Sequence, residues 1–277
     1  MCQHRSPMDI WLASRGGEVA AVDAETREVV RRVDLGHVVD ALARDGDLVW
    51  AVGDRSLSAV DARTGAVAST ATVPGRASSL VVTGGEPVVL ATGRRPALAW
   101  PRSGRSIRLG WQSQALAAGH GSLWIACQRR PGVIERRDPG TGDVTGEFAV
   151  HRDPQAIWVG AKWVWVATDG PGGVDRVDPT TGAVDASVEI ARQPTALREA
   201  FGALWVTHGS EPRLTRIDPD PLVVTATIRV GAGAFGIGVA ERALWLTQAL
   251  ASRVCVVDPR RNGVRGRFDW DAPFAIC

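Results

Sequence analysis

Gly202-Ala-Leu-Trp-Val-Thr207 is one copy of a phrase that runs the length of the chain. Ala243-Leu-Trp-Leu-Thr247, Lys162-Trp-Val-Trp-Val-Ala167 and Ser122-Leu-Trp-Ile-Ala126 are its relatives, as are Leu48-Val-Trp-Ala-Val52 and Asp9-Ile-Trp-Leu-Ala13. The anchoring residues are Trp11, Trp50, Trp124, Trp165, Trp205 and Trp245. The last four are 41, 40 and 40 residues apart, and the first two 39. The 74-residue gap between Trp50 and Trp124 holds Val88-Val-Leu-Ala-Thr92, which reads as a further copy with Leu90 in the tryptophan slot. That makes seven units.

A second phrase follows each of these. Its cleanest copy is Val174-Asp-Arg-Val-Asp-Pro-Thr-Thr-Gly-Ala-Val184, and its Asp recurs at Asp23, Asp61, Asp138, Asp178, Asp218 and Asp258. The third unit, around Ala97-Leu-Ala-Trp100-Pro101, lacks it and is short. Each unit is a set of four short β-rich runs bounded by Gly, Pro and Asp turns, too short for helices and without room for a crossover helix. Seven antiparallel meanders at a constant period of about forty residues predict an all-β, seven-bladed β-propeller of four-stranded blades, with residues 1–277 as one domain. The chain starts at a Trp-bearing strand, so the first unit lacks its innermost strand. Pro273-Phe-Ala-Ile-Cys277 resembles the inner-strand phrases Pro154-Gln-Ala-Ile157 and Pro194-Thr-Ala-Leu197, and is expected to close the ring.

On the phrases Leu204-Trp-Val-Thr207 and Val177-Asp-Pro-Thr-Thr-Gly182, the chain resembles the bacterial YVTN-type propellers and the virginiamycin B (streptogramin) lyase family over essentially its whole length. The resemblance implies the propeller fold and, on the lyase side, elimination or isomerisation with a His or carboxylate base. Lyase-type members place a His just after the Pro that opens an inner strand; those positions are Gln155 and Thr195 here.

The repeated Trp side chains read as interblade core, and the repeated Asp-Pro pairs as turn chemistry, in which Asp accepts its own following backbone N–H groups. Function must therefore lie in the residues that do not repeat. Loops entering the inner strands and loops after the Trp strands share one face, at the mouth of the channel. His37, His151 and His208 are the imidazoles expected there, and with Asp169 and Glu211 they are the candidate acid–base residues. Arg76, Gln114, Arg152, Gln155, Arg192, Gln193 and Gln248 are the candidate ligand-binding residues. Arginines outnumber acids on these loops, so the expected ligand, or a partner's docking segment, is anionic. No cofactor is identified by a motif, and a divalent ion such as Mg2+ is the one considered. The competing functions are a non-catalytic platform for a protein partner and a ligand sensor of the cell envelope.

Composition bounds the rest. The chain is 45% hydrophobic and 22% charged, with a net charge of +2, which gives no reason to expect nucleic acid. Of 32 basic residues only Lys162 is lysine, which we read as a coding bias. No run approaches a membrane span, and no phosphate-binding glycine loop or nucleophile elbow occurs. Cys2, Cys127, Cys255 and Cys277 show no metal or disulfide spacing. A closing Cys2–Cys277 bridge is conceivable, but free thiols are expected. A monomer is expected, cytoplasmic as given, or extracellular if a leader has been removed.

Overall fold

The computed structural model describes residues 9–277. Twenty-eight strands form seven separate four-stranded antiparallel sheets, joined only by turns and one short 3-10 segment, Ala249–Ala251. Blades two to seven open on Ala41–Asp45, Arg76–Thr83, Ser113–Gly119, Pro154–Val159, Pro194–Ala200 and Ala234–Ala240. In blade one the order is Pro273–Ile276, Asp9–Ser14, Glu18–Asp23, Val29–Asp34, so the end of the described chain supplies the innermost strand. Trp11 and Cys277 exchange both backbone hydrogen bonds at 3.0 Å. No helix among the described residues is long and apolar enough to cross a membrane.

Burial follows strand position. Second strands such as Ala203–His208 are buried throughout, because both their faces meet other blades, whereas outer strands such as Val184–Glu189 alternate residue by residue. The six anchoring tryptophans are 0–3% exposed. Trp165 packs with Leu197, Leu204 and Ile217 of blade six, and Trp205 with Ile237, Leu244 and Val257 of blade seven. They are the interblade core.

The register changes one assignment. Trp124 and Trp165 lie opposite Ala117 and Trp158, and the equivalent inner residue of blade three, Val81, lies opposite Val88. Val88 occupies the tryptophan slot, and Leu90 sits two residues further along. The missing volume comes from the third strand: Trp100, 3% exposed, packs on Val88, Leu90 and Leu98. Its Nε1 donates to the Pro139 carbonyl of blade four at 3.0 Å.

The repeated Asp residues act as expected. Asp178 Oδ1 accepts the N–H groups of Thr180 at 2.7 Å and Thr181 at 2.9 Å, and Asp23, Asp61, Asp138 and Asp258 repeat the pattern. Those donors hold the Asp178 carboxyl below its ordinary pKa. A further repeat shows only in the contacts. Arg136, Arg176 and Arg216, forty residues apart, reach the next blade's turn at Pro179 O, Pro219 O and Asn262 Oδ1. Each is a clasp between adjacent blades.

Midway along the channel the inner strands present Leu42, Leu80, Leu116, Ile157, Leu197, Ile237 and Ile276 at one register position. All but Ile276 are 6–9% exposed. This aliphatic collar marks one level of the channel, between a mouth on the side of the interblade loops and a far end.

Among the described residues Cys127, Cys255 and Cys277 form no disulfide; Cys2, and with it a Cys2–Cys277 bridge, lies outside the described residues. Burial pushes Cys127 and Cys277 up to about 12, so neither is an activated nucleophile at neutral pH.

Candidate functional site

Six of the seven inner strands begin with a β-bulge, each leaving one residue outside the ladder. A bulge re-aims a side chain and bends its strand, which suits the rim of a channel. The bulge residues are Ser78, Gln114, Gln155, Thr195, Phe235 and Phe274. Asp40 takes the equivalent place in blade two, just before Ala41, whose partner is Val52. Together they form one ring at the mouth.

A continuous belt crosses four consecutive blades of that ring. Phe235 of blade seven and Phe274 of blade one are 5.3 Å apart at a tilt of 32°. The Arg15 guanidinium lies 4.0 Å above the Phe274 ring, and its Nε is 3.9 Å from Asp40 Oδ1. Arg76 of blade three meets both oxygens of Asp40, Nε and Nη2 at 3.2 Å each. The Asp40 side chain is 5% exposed, while those of Arg15 and Arg76 are 52% and 60% exposed. Hydrogen bonding to Asp40 raises the pKa of Arg76. The arrangement is a buried carboxylate holding two guanidiniums whose outer N–H groups remain open to solvent, beside an aromatic face. Such forks suit carboxylate or phosphate oxygens. Gln114 and Gln155 have no side-chain hydrogen bond among the described residues, so their amides are available too.

Sequence reading found Arg76, Gln114 and Gln155 but not Asp40. The signal was present: Asp40-Ala-Leu42 is in register with Gln155-Ala-Ile157. It was hidden because Asp40 precedes its strand, Ala41–Asp45, where the counterparts lie inside theirs.

The five candidate acid–base residues do not converge. His208 is fully buried; Nδ1 lies 3.1 Å from the Arg192 carbonyl and Nε2 2.9 Å from Thr215 Oγ1. Gln248, at the same place in blade seven and equally buried, donates Nε2 to Val230 O at 3.1 Å. Both residues peg an interblade loop to the end of a second strand. His37 uses Nδ1 on Val38 O and Nε2 on Ser58 Oγ, both at 2.9 Å. Glu211 is paired with Arg213 at 2.7 Å, and Asp169 accepts the Gln193 N–H at 3.2 Å.

His151 is different. Asp175, 2% exposed, accepts the His151 backbone N–H at 2.9 Å, Nδ1–H at 3.0 Å and the Ser187 hydroxyl at 2.6 Å. The imidazole is 61% exposed, and Nε2 has no partner among the described residues. A buried carboxylate thus orients an accessible imidazole, over the third strand of blade five rather than over the channel. Among the described residues no three His, Cys, Asp or Glu side chains come together as a metal cage.

The arginine excess is smaller than the loops suggest. Besides Asp40, Glu147 pairs with Arg129 at 2.9 Å and Asp153 with Arg130 at 3.8 Å. Arg152 and Arg192 have no carboxylate partner among the described residues.

His208 yields a pH prediction. Desolvation lowers its pKa below the ordinary value. Below the unfolded value of about 6.5, the unfolded chain therefore binds a proton the fold refuses. The contribution of His208 is complete above that pH and is lost as pH falls towards the lower folded value. His208→Gln, copying Gln248, should keep the loop peg and flatten the Tm against pH between about pH 7 and 5. An unchanged slope in thermal melts would assign that acid sensitivity to another group.

No family model matches this sequence, and no curated protein matches it. Solved structures do share the fold. A Bacteroides fragilis protein provisionally named a 6-phosphogluconolactonase superposes with a TM-score of 0.79 at 12% identity, over 100% of this chain and 99% of that one. Apo AztD from Citrobacter koseri gives 0.68 at 14% identity, over 97% and 96%. Dihydro-heme d1 dehydrogenase NirN, in complex with DHE, gives 0.70 at 14%, over 97% of this chain and 64% of that one. At such identities the likeness is one of fold. The protein is a seven-bladed β-propeller with an arginine–aromatic belt at its channel mouth.

Proposed function

We propose that the protein binds a small anionic molecule at the channel mouth, in a propeller related to the YVTN and streptogramin lyase group. The belt Phe235–Phe274–Arg15–Asp40–Arg76 carries this reading. It offers open guanidinium donors and an aromatic face, with Gln114, Gln155, Arg152, Arg192 and Gln193 on the ring and adjacent loops. Calorimetry against a panel of carboxylates and phosphate esters tests it. Affinity should fall markedly from low to physiological salt, where screening acts over roughly 8–10 Å. Replacing Arg152 and Arg192 together by Gln should reproduce much of that loss. Binding indifferent to salt, or a ligand that proves neutral or cationic, would sink the reading.

A second reading, acid–base turnover of the lyase or isomerase kind, rests on the oriented imidazole of His151. A cavity of about 490 Å3, lined by residues including Phe148, His151, Gly182 and Val184, lies beside it. If His151 is the base, a ligand from the panel should be converted by the wild type, as NMR of the mixture would show. His151→Gln should then still bind it without converting it; equal conversion by both excludes His151.

A further inference from the structure

The far end of the channel, beyond the aliphatic collar, holds a cavity of about 590 Å3 to which all seven inner strands contribute. This lies within the range of small-molecule sites, about 300–1,000 Å3. Leu42, Leu80, Leu116, Ile157, Ile237 and Ile276 of the collar form its floor, and its walls are mostly Val and Ala. The charged lining residues are Asp9, Arg44 and Arg198. Asp9 is paired through Oδ2 with Arg31 at 3.0 Å while its buried Oδ1 has no partner among the described residues, and Arg44, exposed at the rim, donates to the carbonyls of Asp9 and Gly46.

Arg198 has no such partner. Its half-buried guanidinium stacks 4.4 Å from the centre of the Trp158 ring, and no carboxylate or carbonyl meets it among the described residues. Burial lowers its pKa, against a smaller opposing effect of Cys277, which lines the same cavity. The buried Trp158 Nε1 also lacks an acceptor among the described residues. A cation left without a partner in apolar surroundings is unfavourable, and an anion of the right size would offset that. We infer that this vestibule binds a small amphipathic anion, a carboxylate on an apolar tail, with its head on Arg198 and its tail against the collar. The site is separate from the mouth and does not rest on the reading proposed for it.

Decanoate, below its micelle concentration, is the probe, titrated into the full chain with Trp fluorescence and calorimetry as readouts. One decanoate should bind per chain, and decanol, with the same tail and no charge, should bind about ten- to a hundredfold more weakly, as expected for one charge-assisted hydrogen bond. Arg198→Gln should weaken decanoate by a similar factor and leave decanol unchanged. Ala118→Phe, which projects a ring into the cavity from blade four, should abolish binding of both. If Arg198→Gln does not fold, Arg198→Lys, retaining the charge, should bind within a few-fold of wild type, and Ala118→Phe decides the location. No saturable binding, decanol equal to decanoate, or an Ala118→Phe variant that still binds would each overturn the inference.

Discussion

A chain ending at Asp271 is expected to melt far below the full protein, or to aggregate. Removing the closing strand takes away the pairing of Leu12 with Ile276 and of Ala13 with Ala275, and both backbone bonds between Trp11 and Cys277. It also uncovers the edge of the Asp9–Ser14 strand, which is long, apolar and otherwise a template for intermolecular pairing. Ile276 leaves the collar, and Gly238 of blade seven, where a Cβ would meet the side chains of Ile276 and Ile10, keeps only Ile10. Phe274 and Ile276 are only half-buried, so against roughly 1.5–3 kcal/mol for a fully buried large apolar side chain they contribute ~2–4 kcal/mol together, to which the lost strand pairing adds. For a domain of this size that is a fall in Tm on the order of 10 °C or more. Thermal melts and light scattering on the truncated and full chains decide it. Coincident melts would mean that ring closure contributes nothing. The same truncation should abolish anion binding at the mouth, because Arg15 loses the Phe274 ring on which it lies.

The second large effect concerns the interblade tryptophans. Trp205→Ala should cost ~3–5 kcal/mol, the usual range for deleting a buried large aromatic. Trp205 is fully buried between blades six and seven, and its Nε1 donates to Ala200 O at 3.0 Å. Trp165→Ala should cost a similar amount, because that ring fills the equivalent space between blades five and six and donates to Glu199 Oε2 at 2.9 Å. Neither ring lies in the mouth, so anion affinity per folded molecule should be unchanged. Urea unfolding gives the first quantity, and calorimetry on the folded fraction the second. A variant of full stability that has lost binding would instead place its tryptophan in the site.

The architecture was legible in the sequence because a propeller is a local pattern repeated. Each blade is a run of four adjacent strands, and a forty-residue period states the number of blades without any long-range contact being known. The turn role of Asp178 and its counterparts was legible for the same reason, since the acceptor and its donors are two and three residues apart. Even ring closure could be read, from the likeness of Ala275-Ile276 to Ala156-Ile157. Blade three departs from the pattern because its aromatic is Trp100 in the third strand, so the phrase aligns on Leu90 where the ladder places Val88.

The site was not legible to the same degree. His37, His151 and His208 look alike in sequence, all at loops of one face. Which imidazole is buried and pegged, which is spent on Ser58, and which is held by Asp175 with Nε2 open depends on contacts up to 24 residues apart in the chain. The sequence alone determined the fold, the blade count and the face that gathers the non-repeating residues. Only the tertiary structure decided that Phe235, Phe274, Arg15, Asp40 and Arg76 touch, and that Arg198 stands unpaired among described residues at the channel's other end. The physical reason is that each blade's periodicity is set by its own hydrogen-bonded ladder. The channel and its charges exist only where seven ladders are brought round one axis.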